Sequence, residues 1–255
     1  MKFYKFTLAA VMLASLAACG GGDSDDRVGL ADPKVRFVNV APLASSVTLY
    51  REEVPQSNAT AVGYKFASAY FDVSESTSAW SIRSTAAPIT TLGSVTFGAD
   101  RGDRNTIVAL PAATGLTPLL IKDPYNKSLT TNDARFRVVN AATNAPAIDV
   151  YLTAPTVAIT ALTPTFANVR FGQALPPSAS DSVYYAGGAY RIQVTTAGTK
   201  TVLFNAPVTV ANNADWLLLA VPTPDTGTPA AGAIKFLLVQ GSDATPVTSE
   251  IVSAP

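Results

Sequence analysis

Residues 35–50, VRFVNVAPLASSVTLY, return 101 positions later as residues 136–151, FRVVNAATNAPAIDVY. The two align without a gap. Arg36/Arg137, Val38/Val139, Asn39/Asn140, Ala41/Ala142, Ala44/Ala145 and Tyr50/Tyr151 are identical, and Val47/Ile148 and Leu49/Val150 keep their apolar character. Further blocks follow in the same order. Tyr64–Ala69 parallels Val169–Ala174, Trp80–Arg83 parallels Tyr190–Gln193, and Thr106–Pro111 parallels Leu217–Pro222. The offset drifts from 101 to 111, as loop insertions produce. A period near one hundred residues is a domain duplication, because solenoid repeats run to about 20–50 residues.

Within each repeat the apolar pattern has period two. Arg191-Ile192-Gln193-Val194-Thr195 alternates strictly, as does Val47-Thr48-Leu49-Tyr50, while Trp216–Val221 is an unbroken apolar run of strand length. Pro, Gly and Asn/Asp/Ser clusters such as Pro176-Pro177-Ser178 separate these runs. After the first 18 residues no stretch carries a 3.6-residue period, and the chain has only four Glu to favour helix. The expectation is all-β: two tandem immunoglobulin-like antiparallel β-sandwich domains, residues 34–127 and 133–255, each with its own core.

Arg137–Ala142, Ala145–Tyr151, Asn168–Gly172 and Gly188–Val194 resemble the bacterial domain of unknown function 4397. That resemblance implies extracytoplasmic, often lipid-anchored β domains, frequently in tandem, and it implies no catalytic residues. It is specific in the second repeat. In the first, Ser78-Ala79-Trp80 lacks the glycine before the aromatic residue, and Thr48 stands in place of the aspartate.

The N-terminus carries Lys2 and Lys5 ahead of an uncharged run, Phe6–Leu16. Eleven helical residues span about 16 Å, too short for a hydrocarbon core of about 30 Å, so residues 1–18 read as a signal peptide. Leu16-Ala17-Ala18-Cys19 resembles a bacterial lipobox, which implies cleavage before Cys19 and acylation of its sulfur and new amine. Gly20, rather than Asp, follows the cysteine, and the resemblance to Gram-negative lipoproteins then implies the outer membrane. Residues 19–33 then form a Gly/Asp tether, with Asp23, Asp25 and Asp26 read as a solvated spacer rather than a Ca²⁺ site. Gly20–Asp32 has an r.m.s. span of roughly 20 Å.

Composition excludes much chemistry. There is no histidine, so no imidazole base or ligand, and one cysteine, so no intrachain disulfide or thiolate metal cluster. The net charge is zero, and signal cleavage leaves 16 positive against 18 negative side chains, which argues against nucleic acid. No catalytic, cofactor or metal residues are assigned. The expected partners are a membrane, through lipid on Cys19, and an envelope protein or glycan. Two binding candidates stand out. Arg101-Gly102-Asp103 spells an adhesion tripeptide, yet its counterpart Asn212-Asn213-Ala214 marks both as hairpin turns. Tyr184 and Tyr185, with Tyr190 nearby and Trp80 at the Tyr190 position of the first repeat, could form an aromatic platform. The expected function is a non-enzymatic binding, adhesion or structural module. The alternative is a cell-wall or polysaccharide hydrolase working with carboxylates alone, although Glu52 and Glu53, adjacent in sequence, do not face each other.

Overall fold

The computed structural model describes residues 29–42, 46–225, 227–241 and 247–254; the signal segment, Cys19 and most of the tether lie outside the described residues. The first repeat contains β1 (Lys34–Asn39), β2 (Val47–Arg51), β3 (Val54–Pro55), β4 (Phe66–Ala67), β5 (Phe71–Asp72), β6 (Thr77–Ser84), β7 (Thr91–Gly98), β8 (Arg104–Pro111) and β9 (Leu116–Asp123). The second contains β10 (Ala134–Asn140), β11 (Ile148–Thr153), β12 (Phe166–Val169), β13 (Ala174–Leu175), β14 (Val183–Tyr185), β15 (Gly188–Thr196), β16 (Val202–Val210), β17 (Asp215–Pro222), β18 (Ile234–Gln240) and β19 (Val247–Ile251). The only helical element among the described residues is a 3-10 turn, Ser57–Ala59.

The protein is all-β, built as sandwiches. Each repeat pairs an outer sheet, β3-β2-β6-β7 or β12-β11-β15-β16, with an inner sheet, β4-β1-β8-β9 or β13-β10-β17-β18-β19; β5 and β14 join β1 and β10. One feature departs from a purely antiparallel sandwich. β1 pairs with β8, and β10 with β17, in parallel. A parallel pair needs a long crossover, and here the outer sheet supplies it. The turns Asp100–Asp103 and Ala211–Ala214 therefore join β7 to β8 and β16 to β17 across sheets. They are not hairpin turns. Gly102 (φ +80°) and Asn213 (φ +61°) hold the left-handed position in each.

Strand pairing also corrects the internal alignment. Val38 pairs with Ala67 and Val139 with Ala174, so Ala67, not Ala69, is the counterpart of Ala174. Arg51 pairs with Trp80 and Leu152 with Ile192; because Leu49/Val150 face Ile82/Val194, Trp80 corresponds to Ile192 rather than Tyr190. Both blocks had slipped by two residues, a shift that leaves every side chain on its own face.

The motif residues that define the repeat hold the chain locally. Asn39 and Asn140 each accept the N–H two residues on, from Ala41 and Ala142, both at 3.1 Å. Thr48 and Asp149 perform one task with different groups. Thr48 Oγ1 accepts Ala61 N–H (3.0 Å) and Asp149 Oδ1 accepts Asn168 N–H (2.7 Å). Ala61 and Asn168 share a left-handed backbone, φ +52° and +55°.

Each repeat has its own core. Val35, Phe37, Leu49, Trp80, Ile82 and Ile107 lie in the first; Phe136, Val138, Val150, Ile192, Phe204 and Phe236 lie in the second. A third apolar cluster lies between the two inner sheets. Along β17 the side chains alternate: Trp216, Leu218 and Ala220 enter the second core, while Leu217, Leu219 and Val221 enter the shared layer. The described residues thus form a stack of four sheets whose two middle members are covered on both faces. The shared layer is built from equivalent residues, namely Val38/Val139, Val40/Ala141, Ala67/Ala174, Val108/Leu219, Leu110/Val221 and Ile121/Val239. The same patch on both partners is the geometry of an isologous dimer, here within one chain.

Candidate functional site

β1, β8, β10 and β17 all run from one end of the shared layer to the other, so their starts and finishes define two chemically different ends. Eight residues of strand, the length of β8, span roughly 25 Å.

The starting end is charged. Arg135 on β10 is fully buried. Its guanidinium donates to Asp123 of the first repeat at 2.6 Å, to Asp181 at 2.8 Å and to Asp215 at 3.4 Å. Arg104 of β8 crosses in the other direction, 3.7 Å from Asp215. Both guanidiniums lie over Tyr125, in the segment joining the repeats, at 3.6 Å for Arg104 and 4.3 Å for Arg135. Burial pushes the Asp123 carboxyl up, but Arg135, Arg137 and the Tyr125 N–H outweigh it and hold that carboxyl below the usual range. A second ionic group ties the repeats together elsewhere on the seam. Lys65 of the first repeat and Lys235 of the second both bind Asp225 and Glu250.

The residues singled out from the sequence gather at this charged end. Tyr184 donates its hydroxyl to Asp181 (2.7 Å); burial and that carboxylate push its phenol up to about 12. Tyr185 meets Phe136 and Tyr190 edge to face, at 5.8 Å and 5.9 Å. These rings share no flat face. Trp80 is elsewhere, buried in the first core and stacked on Phe97. Arg101, Gly102 and Asp103 grip the incoming chain. Gly102 N–H donates to Ala31 O (2.9 Å), Arg101 Nη1 to Leu30 O (3.3 Å), and Lys34 N–H to Asp103 O (2.9 Å). Gly102 is buried, and a Cβ there would sit 2.5 Å from Gly29 Cα. The tripeptide therefore contacts residues 29–34 of its own chain. Burial raises the Asp103 carboxyl, and Lys122 at 3.9 Å partly offsets this.

Glu52 and Glu53 both adopt positive φ in the turn between β2 and β3. Glu52 accepts Ala79 N–H, and Glu53 pairs with Arg83, which lowers its carboxyl. Among the described residues no group of three His, Cys, Asp or Glu is placed to hold a metal ion, and no helix is long and apolar enough to cross a membrane.

The finishing end carries an apolar pocket, although the second ionic group also lies toward it, Lys65 following the end of β1 and Lys235 pairing with Val221 near the end of β17. Pro111 and Pro222, which end β8 and β17, join Pro42, Thr143, Ala112 and Phe171 around a pocket of about 440 Å³ that both repeats line. Phe171 is 42 % exposed. Sequence reading missed this pocket, although Pro111 and Pro222 were already aligned as equivalents. A polar groove of about 540 Å³ lies on the first repeat, where Arg51 donates to Ser74, Ser76 and Ser78.

No curated protein matches the chain. Residues 33–151 match the family described as Domain of unknown function (DUF4397). The matched span covers the first repeat, which sequence reading took as the more divergent one, and continues through β10 and into β11. Over residues 33–151 the chain is therefore similar to the domain of unknown function 4397 family.

Proposed function

We propose that the protein is a lipid-anchored, non-enzymatic binding module of the bacterial cell envelope, held to the outer membrane through an acylated Cys19. The supporting observation is the polarity of the stack. Residues 29–34 enter at the charged end, clasped by Arg101–Asp103, and the pocket around Phe171 opens at the opposite end. A tether of roughly 20 Å from Cys19 then keeps the charged end near the lipid and turns the pocket outward. The double covering of both inner sheets makes the stack rigid, suiting it to presentation. The hydrolase alternative draws no support from the buried carboxylates, since Asp123, Asp181 and Asp215 all face Arg135.

Two measurements test this reading. Cys19→Ala removes fatty-acid labelling and releases the protein from the membrane fraction; labelling that persists contradicts the anchor. A pull-down from envelope extract and a glycan array, run with residues 20–255 and with its Phe171→Ser variant, test the pocket. The reading expects a partner that the wild type retains and the variant loses, and equal retention by both contradicts the pocket's role.

A further inference from the structure

Among the buried arginines of the shared layer, Arg36, Arg135 and Arg137 are provided for very differently. Arg135 has three carboxylates. Arg137, the repeat counterpart of Arg36, donates to the carbonyls of Pro176, Pro177 (3.0 Å) and Ser180 (2.6 Å) and lies 3.7 Å from Asp123. Arg36 is 5 % exposed, yet among the described residues no carboxylate lies within 4 Å of it. Its Nε donates to Thr106 Oγ1 (2.9 Å), and its guanidinium carbon sits 4.6 Å from the centre of the Tyr70 ring. Its Nη1 is buried and finds no acceptor. A buried guanidinium normally has a counter-charge, because its desolvation otherwise costs several kcal/mol.

Arg36 also lines a cavity of about 10 Å³, room for one water-sized particle. Tyr70, Thr106 and Arg137 are on its wall. So are Ser182, whose hydroxyl donates to Asp123, the carboxylates of Asp123 and Asp215, and the apolar Ile121, Trp216 and Leu217. The wall carboxylates are already engaged. Asp123 accepts from Arg135, Tyr125 N–H and Ser182, and Asp215 pairs with Arg135 and Arg104. A water would satisfy the orphaned donor but leave the charge. Sulfate, phosphate and carboxylate ligands are too large.

We propose that this cavity between the two repeats is a binding site for a single monoatomic anion, with chloride as its ordinary occupant and Arg36 as its counter-charge. The anion would complete the charged end of the interface and so stabilise the stack of the two repeats.

The test is thermal unfolding of residues 20–255 in sodium chloride, sodium bromide and sodium gluconate at equal ionic strength. The proposal expects both halides to raise the midpoint by several degrees over gluconate, saturating with concentration. It also expects an anomalous bromide peak beside Arg36 in a bromide-soaked crystal. Arg36→Met should abolish the halide increment. Should that variant not fold, Tyr70→Phe, which keeps the ring and removes one hydroxyl, should weaken the halide dependence instead. Equal midpoints in the three salts with no bromide peak mean a water only, and overturn the site. A halide increment unchanged in either variant, or bromide found only on the surface, overturns it as well.

Discussion

Arg135 of β10 reaches across the shared layer to Asp123 of β9 at 2.6 Å, so the deepest cation of the second repeat is neutralised by a carboxylate of the first. Removing one partner of such a pair leaves a buried charge uncompensated, which typically costs roughly 3–5 kcal/mol. Asp123→Ala should therefore lower stability by about that amount in urea denaturation. An exposed control, Glu75→Ala, should change it by less than about 1 kcal/mol, since that carboxylate lies 3.8 Å from a half-exposed Arg101.

The two ionic groups of the seam also set the pH limits. Asp123, Asp225 and Glu250 titrate below their usual range, so their stabilisation is complete above the ordinary carboxylate values. It is lost as pH falls below about 4. Tyr184 and Tyr64 are pushed up from 10.0 to about 12, so folding favours their protonated forms. That contribution is present below pH 10.0 and disappears as pH rises toward about 12. Phenolate absorbance should show a late-ionising group of tyrosines that shrinks by one in Tyr184→Phe.

Gly102→Ala should loosen the attachment of the incoming chain. The position needs φ +80°, and the added Cβ meets Gly29. The backbone cost alone is about 1 kcal/mol or more. Limited proteolysis should cut faster near residues 29–34 in the variant, while the β-sheet circular dichroism stays as in the wild type.

The shared layer predicts that the second repeat does not stand alone. A fragment starting at Asp133 exposes Leu217, Leu219, Val221, Leu237 and Val239, an apolar face that monomers rarely present. Self-association by that face would bury Arg135 without Asp123. Co-expressed fragments 29–127 and 128–255 should instead form a one-to-one complex by size exclusion, and Asp123→Ala in the first should weaken it at least tenfold.

Much of this architecture was legible in the sequence. The match of Val35–Tyr50 to Phe136–Tyr151 revealed the duplication, and alternation around Ile192 and Val194 revealed the sandwich strands. Two things were hidden for physical reasons. A two-residue slip preserves the inward and outward pattern of a strand, so Trp80 could be set against Tyr190 without any loss of alternation. The run Trp216–Val221 was legible as an unbroken apolar strand, but nothing local says what covers its second face. The cluster on Arg135 is assembled from residues 123, 135, 181 and 215, and only the parallel pairing of β10 with β17 and the crossing of the seam bring them together. Tyr184 was noticed as an aromatic group, whereas the hydroxyl on Asp181 is what ties it to the interface.

The central claim is that the two repeats form one cooperative body, and the chain's two tryptophans report on it separately. Trp80 lies in the first core and Trp216 in the second. In the single-tryptophan variants Trp216→Phe and Trp80→Phe, urea unfolding should be followed by fluorescence and by far-ultraviolet circular dichroism on the same samples. The account predicts that the two signals fall at one midpoint within each variant, because neither repeat survives loss of the other's face. A fluorescence transition separated from the circular-dichroism transition, with one repeat still folded after the other has melted, would contradict it.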